Sequence, residues 1–136
     1  MSITVTRELS ARMRHTVKIG AHHFAVDEPV ANGGEDTGPT PHDLYDSALG
    51  ACKALTTLWY AKRKNIPVEG IEVRIERDDS EERKGTYRLR AVMSLTGDLS
   101  DAQRAELLAV AAKCPVHRLM TQVTTEVQTE LGPVPT

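Results

Sequence analysis

The sequence predicts an α+β fold in which short strands surround one long helix. Apolar and polar residues alternate with a period of two in several short segments, which is typical of strands with one solvated face. Apolar residues recur at three- and four-residue steps through residues 40–64, which is typical of an amphipathic helix. The predicted order is strands, long helix, strands, second helix, strand, so the helices are expected to share a sheet face.

The predicted strands fall into groups before and after the long helix. A small antiparallel meander is expected from residues 3–6, 14–19 and 22–27, and later strands are expected at residues 71–76, 87–95 and 123–131. The mixed charge run at residues 77–85 is interpreted as a solvated hairpin loop.

The long helix has a well-marked start and end. Thr40 is a good N-cap, Pro41 suits the first helical position, and Asp43 stands where the third residue of a capping box belongs. Basic residues followed by Asn65 mark the end. About 24 residues give a rod of roughly 36 Å. The apolar stripe of this helix, over which the rest of the chain is expected to pack, consists of Leu44, Ala48, Ala51, Cys52, Leu55, Leu58 and Trp59.

A second, shorter helix is expected after Ser100, which forms a capping-box pattern with Gln103. It is expected to end near Lys113, before a short helical turn over residues 116–120. Residues 132–136 are predicted to be a frayed tail. With 136 residues, 40% of them hydrophobic, residues 1–136 are expected to form a single domain.

Composition excludes several classes of function. A formal net charge of -2 gives no electrostatic reason to expect a nucleic acid as partner. No run of eighteen apolar residues suits a membrane span, and the amino terminus lacks the apolar run of a signal peptide. The expected location is therefore the cytoplasm.

The apolar stripe also predicts an assembly. A long helix that is apolar around more than half its circumference needs cover on several sides, and a chain of this length supplies little. An intertwined homodimer that packs the long helices of two chains together would provide that cover.

The two cysteines are the residues best suited to chemistry. Cys52 lies in the middle of the long helix and Cys114 precedes a proline at the end of the second helix. In a reducing compartment such cysteines are more often free thiols, a redox pair or metal ligands than a structural disulfide. Cys52 also fits an ordinary buried apolar residue, whereas Cys114 stands at a break where a thiol can move.

A reactive thiol needs a cation or hydrogen-bond donors nearby. The candidate arginines, each of which also fits a solvated position, are Arg7, Arg12, Arg14 and Arg118. His42 and Asp43 lie about 15 and 13.5 Å along the helix from Cys52, so either would have to serve the thiol from a partner chain. A zinc site made by Cys52, Cys114, His42 and His117 has little support from the spacing.

Three stretches resemble a known family: TGPTPHDLYDSALGAC, VEGIEV and AAKCPVHRLMTQVTTEVQTEL. They resemble the osmotically inducible protein C and organic hydroperoxide resistance family (OsmC/Ohr), over about residues 33–131. The resemblance implies an OsmC-like intertwined homodimer, with antiparallel sheets wrapped around two central long helices and two active sites at the dimer interface.

The resemblance also implies a two-cysteine thiol peroxidase without metal, haem or flavin. Cys52 would attack an organic hydroperoxide, release the alcohol and become a sulfenic acid. Cys114 would resolve it to a disulfide, which a thiol or dithiol reductant would reduce.

This chain departs from the family pattern at two places. Family members commonly carry a glutamate where this chain has His42, followed by Asp43, and the arginine that some relatives carry before the long helix is absent. Arg14 and Arg12 are therefore the candidates for the cation that stabilises the thiolate. The alternative function is an OsmC-fold protein with little peroxidase activity that binds small apolar or electrophilic ligands.

Overall fold

A computed structural model of the chain describes residues 1–134. In chain order its helices and strands are β1 (Ile3–Arg7), β2 (His15–Ile19), β3 (His22–Val26), α1 (Pro41–Arg63), β4 (Val68–Asp78), β5 (Arg88–Gly97), α2 (Asp101–Ala111) and α3 (Pro115–Thr121). Short 3₁₀ turns lie at Val30–Asn32 and Glu82–Lys84. The predicted α+β class is confirmed, as is the order of the elements up to the short third helix.

The first three strands form the antiparallel meander predicted from their alternation. The strand order is β1-β2-β3, with Val5 opposite Val17 and Val17 opposite Phe24. Gly20 has a φ of 58°, in the left-handed region that glycine tolerates best, and this allows the short turn between β2 and β3. Strands β4 and β5 form a separate two-stranded sheet.

Both predicted capping boxes are present. At the start of α1 the Asp43 amide donates to Thr40 Oγ1 (3.1 Å) and the Thr40 amide donates to Asp43 Oδ2 (3.0 Å). At the start of α2 the Gln103 amide donates to Ser100 Oγ, and the Ser100 amide donates to Gln103 Oε1. Each box satisfies two amides that a helix terminus leaves unpaired, so these helices begin where the sequence predicted.

Chain contacts divide the molecule into two compact units. One contains Met1–Gly50 and Ile75–Ala91, and the other contains Ala51–Arg74 and the chain from Val92 onward. In the second unit Ala61, Ile66 and Leu107 form an apolar core. The partly buried residues packed against this core are Tyr60, Val68, Leu95 and Leu99.

Helix α1 buries the face opposite its apolar stripe. At 3.6 residues per turn the buried residues share one side of the helix. They are Asp46, Leu49, Gly50, Lys53, Thr57 and Ala61. Within the stripe, Leu55 and Trp59 remain 67% and 60% exposed. The expectation that this chain packs over its own stripe is therefore wrong, because the chain covers the more polar side.

Two further expectations are corrected. Residues 123–131 form no strand: within residues 1–134 no other strand pairs with them, and all of them are exposed. Strand β4 is longer than predicted and includes Arg77, so this arginine does not belong to a solvated loop. Of the predicted tail, residues 132–134 are exposed without regular structure, and residues 135–136 lie outside the described residues.

Among residues 1–134, no helix combines the length and apolar character needed to cross a membrane.

Candidate active site around two cysteines

Cys52 lies in the middle of α1 and is half-buried, with its sulfur facing helix α3. The Val116 amide donates to Cys52 Sγ at 3.5 Å. One helical turn further along α1, Thr56 Oγ1 lies 3.9 Å from the same sulfur. The Cys52 sulfur is thus in direct contact with the backbone of α3.

Cys114 is the N-cap residue of α3 and is completely buried. Its sulfur accepts a hydrogen bond from the His117 amide at 3.4 Å. Pro115 occupies the first helical position, where a backbone N–H would have no partner within the helix. The chain thus uses a thiol in the capping position where a serine or an aspartate is more usual.

The two thiols meet at the first turn of α3. Val116 and His117 are consecutive residues, and their amides donate to Cys52 and Cys114 respectively. Both cysteines are free, and Cys52 is close enough to affect the pKa of Cys114. Two residues 62 positions apart in the sequence therefore contact neighbouring amides of one helix.

The pKa of the Cys114 thiol is raised above its ordinary value. Burial is the main cause, because it disfavours the thiolate, and the hydrogen bond with Cys52 acts in the same direction. The His117 amide and the positive charge of Lys53 act in the opposite direction. Burial therefore outweighs the two groups that favour the thiolate.

Sequence reasoning missed Lys53. The side chain is buried, and its ammonium donates to the Ala111 carbonyl at 2.9 Å and to His117 Nδ1 at 3.1 Å. Because an ammonium has only donors, His117 Nδ1 is the acceptor, and a neutral ring then carries its hydrogen on Nε2. The only signal in the sequence is a lysine directly after Cys52 within a run of small and apolar residues.

The two candidate arginines lie near the β1–β2 turn. Arg14 forms an ion pair with Glu8 and donates to Thr37 Oγ1 at 3.2 Å. The Arg12 amide donates to Glu35 Oε1 at 3.2 Å, and its side chain is exposed. The hydrogen bond with Glu8 raises the pKa of Arg14, so its charge is already opposed by a carboxylate.

His42 and Asp43 lie at the start of α1 and have partners of their own. Asp43 Oδ1 accepts from Arg77 at 2.6 Å, in addition to its capping role. His42 Nε2 lies 2.8 Å from Glu82 Oε1, and its ring stands edge-on to Tyr87 with centroids 5.8 Å apart.

Sequence reasoning also missed a cluster of Asp46, Arg77 and Tyr87 beside these residues. Asp46 is 5% exposed, is paired with Arg77, and accepts from the Tyr87 hydroxyl at 2.7 Å. Burial, followed by the hydrogen bond to Asp46, raises the pKa of Tyr87 to about 12. The bonds to Asp43 and Asp46 raise the pKa of Arg77. Asp46 stands six residues after the N-cap Thr40, and its partners Arg77 and Tyr87 lie more than thirty positions further along the chain.

Two hollows adjoin His42. One, of about 470 Å³, is lined by charged residues that include Arg77 and Glu82. The other, of about 390 Å³, is lined mainly by Pro41, Tyr45 and Tyr87. Both volumes are within the range that accepts small organic molecules. Within residues 1–134, histidine, cysteine, aspartate and glutamate form no group of three or more placed to hold a metal ion.

Solved structures with the same fold come from several bacteria. They include an OsmC-like protein from Mycoplasma pneumoniae, with a TM-score of 0.72 and 20% identity over 90% of this chain and 87% of that one. The organic hydroperoxide resistance protein OhrB of Bacillus subtilis has a TM-score of 0.59 and 23% identity over 90% and 92% of the two chains. An organic hydroperoxide resistance protein OsmC from Legionella pneumophila has a TM-score of 0.63 and 16% identity over 90% of each chain.

Comparison with curated proteins gave no match. The family model described as OsmC-like protein matches residues 33–130, which is well over half of the sequence. That range includes helix α1, both cysteines and helix α3. The chain therefore belongs to the OsmC-like family.

Proposed function

We propose that this protein is a two-cysteine thiol peroxidase that reduces organic hydroperoxides to alcohols. The observation that carries the proposal is the meeting of Cys52 and Cys114 at the first turn of α3, where consecutive amides donate to the two sulfurs. Solved relatives of the same fold are named organic hydroperoxide resistance proteins, which agrees with this assignment.

Cys52 is the attacking residue in this proposal. Its thiolate attacks the distal oxygen of the hydroperoxide, an S–O bond forms and the O–O bond breaks. The alkoxide leaves and takes up a proton to become the alcohol, while Cys52 becomes a sulfenic acid. Cys52 is the more exposed of the two thiols and lies within an apolar stripe, which suits an alkyl hydroperoxide better than a strongly hydrated one.

Cys114 is the resolving residue. Its sulfur attacks the sulfenic sulfur, an S–S bond forms, and hydroxide leaves and is protonated to water. An external thiol or dithiol then reduces the disulfide by exchange. Such reductants are maintained in the cytoplasm, which is the compartment we propose for this cycle.

The working form is proposed to be a homodimer. The apolar stripe of α1 is exposed at Leu55 and Trp59, so a second copy of the chain could bury this apolar surface. In such an assembly, His42 and Asp43 or the arginines Arg12 and Arg14 of one chain would complete the site of the other. His42 would then stand where relatives commonly carry a glutamate.

Intact mass after one equivalent of cumene hydroperoxide tests the proposed cycle. The reduced protein is expected to lose two hydrogens per chain as the disulfide forms. Cys114→Ser is expected to gain one oxygen instead, and Cys52→Ser is expected to remain unchanged. An unchanged mass in the parent protein would refute the peroxidase assignment.

Steady-state consumption of the hydroperoxide with a dithiol reductant separates this function from simple ligand binding. Turnover that is lost in Cys52→Ser supports the peroxidase. The absence of turnover, together with binding of a small apolar ligand that Cys52→Ser retains, would favour the binding protein. The hollow lined by Tyr45 and Tyr87 is the natural place for such a ligand.

A further inference from the structure

Lys53 is a buried cation without an anionic partner among residues 1–134. It is 6% exposed, and its two hydrogen-bond acceptors, the Ala111 carbonyl and His117 Nδ1, are both neutral groups. None of the ion pairs formed in the described part of the chain includes it. Burial of a charge is unfavourable unless an opposite charge compensates it, so we expect an anion to form close to Lys53 at some stage of its function.

The group that would compensate the charge is a thiolate at the cysteine pair. The positive charge of Lys53 favours the thiolate of Cys114. His117 joins the two residues, because its ring accepts from the Lys53 ammonium and its backbone amide donates to Cys114 Sγ. The titratable groups of this cluster are Lys53, His117 and the two thiols. Among residues 1–134, no carboxylate forms a hydrogen bond or ion pair with any of them.

We propose that Lys53 supplies the positive charge that promotes ionisation of Cys114, so that a larger fraction of the resolving residue is present as thiolate than burial alone would leave. This inference rests on the proposed peroxidase cycle and assigns a residue to its second step. The Cys114 proton passes to solvent, the thiolate attacks the sulfenic sulfur of Cys52, the S–S bond forms and the S–O bond breaks. The departing hydroxide takes up a proton to become water, and the charge of Lys53 is unchanged throughout.

A titration of Cys114 without any hydroperoxide tests this role directly. In a Cys52→Ser background only one thiol remains, and its thiolate is followed by ultraviolet absorbance, with Cys52→Ser/Cys114→Ser subtracted. Lys53→Gln keeps a donor for the Ala111 carbonyl but removes the charge. It is expected to move the titration midpoint upward by about one unit, which is about a tenfold lower thiolate fraction below the midpoint.

Two further variants separate charge from packing. Lys53→Arg, which keeps the charge, is expected to restore most of the parent midpoint. Lys113→Gln removes an exposed lysine directly before Cys114 and is expected to leave the midpoint unchanged. Circular dichroism checks that each variant folds, and Lys53→Met replaces Lys53→Gln if the latter does not. An unchanged midpoint in the folded neutral variant would overturn the proposal.

A single-turnover experiment connects the titration to the cycle. With both cysteines present, Lys53→Gln is expected to form the disulfide about tenfold more slowly at neutral pH and to accumulate the sulfenic acid, with the rate recovering at higher pH. If the parent protein forms no disulfide, the peroxidase assignment fails, whatever the titration shows. If the parent forms it and Lys53→Gln resolves with the same pH profile, the role of Lys53 alone fails.

Discussion

At the scale of single residues, the start of α1 is held by a shared arginine. Arg77 bonds to both Asp43 and Asp46, and Tyr87, which directly precedes strand β5, donates to Asp46. Asp46 is buried while Arg77 is about one-third exposed, so the acid depends on its partners more than the arginine does.

Replacement of Asp46 should therefore be costly. We expect Asp46→Ala to lower the free energy of unfolding by roughly 2 kcal/mol, because the Tyr87 hydroxyl loses its acceptor and the Arg77 guanidinium loses one of its two carboxylate partners. Urea denaturation at neutral pH measures the change. Asp98→Ala removes an exposed acid and is expected to change stability by less than about 0.5 kcal/mol. Equal effects of the two substitutions would contradict the structural role of Asp46.

Asp27 predicts a pH dependence of stability. It accepts from the Thr37 hydroxyl and from the amides of Glu28, Glu35 and Thr37, and these bonds, the hydroxyl's first, lower its pKa to about 2. Because the pKa in the folded state lies below the unfolded value of about 3.9, the stabilisation is complete above the unfolded pKa. It is lost as the pH falls toward about 2.

Asp27→Asn is the variant that isolates this contribution. Between about pH 6 and about pH 2.5, the urea midpoint of the parent is expected to fall further than that of Asp27→Asn, since the other acids titrate in both proteins. Parallel pH profiles for the two proteins would show that Asp27 does not contribute.

At the scale of elements, the local signals in the sequence were reliable where the chemistry itself is local. Thr40 with Asp43, and Ser100 with Gln103, predicted the helix starts because each box is closed by residues three apart. Arg77 was misplaced because its partners, Asp43 and Asp46, lie more than thirty positions away. A charge run read alone gives no sign of such a distant acceptor.

The α1 capping box gives a prediction of moderate size. Thr40→Ala is expected to lower the free energy of unfolding by about 1 kcal/mol, because the Asp43 amide loses its side-chain acceptor. Thr40→Ser keeps the hydroxyl and should retain most of the stability. Thermal and urea denaturation of the three proteins provide the comparison, and a serine variant as unstable as the alanine variant would argue against the cap.

At the scale of the whole molecule, the candidate site was predictable in part. The sequence singled out Cys52 and Cys114, and the fold brings their thiols together at α3. It did not single out Lys53, since a lysine in a helix is ordinarily solvated and only the packing of α2 and α3 buries it. The spacing of the apolar residues of α1 predicts an apolar face, but it does not indicate whether this chain or a second copy covers that face.

The exposed stripe leads to the last prediction, which concerns assembly. If a second copy covers α1, then Leu55→Glu and Trp59→Glu should each convert a dimer into a monomer, because a carboxylate would be buried without a partner. Sedimentation velocity or light scattering measures the mass, which is expected to be twice the 14.9 kDa of one chain for the parent protein. Lys84→Glu alters an exposed residue of the 3₁₀ turn after β4 and should remain dimeric. A parent protein that is monomeric at micromolar concentration, with both glutamate variants unchanged in mass, would show that α1 functions without a partner chain.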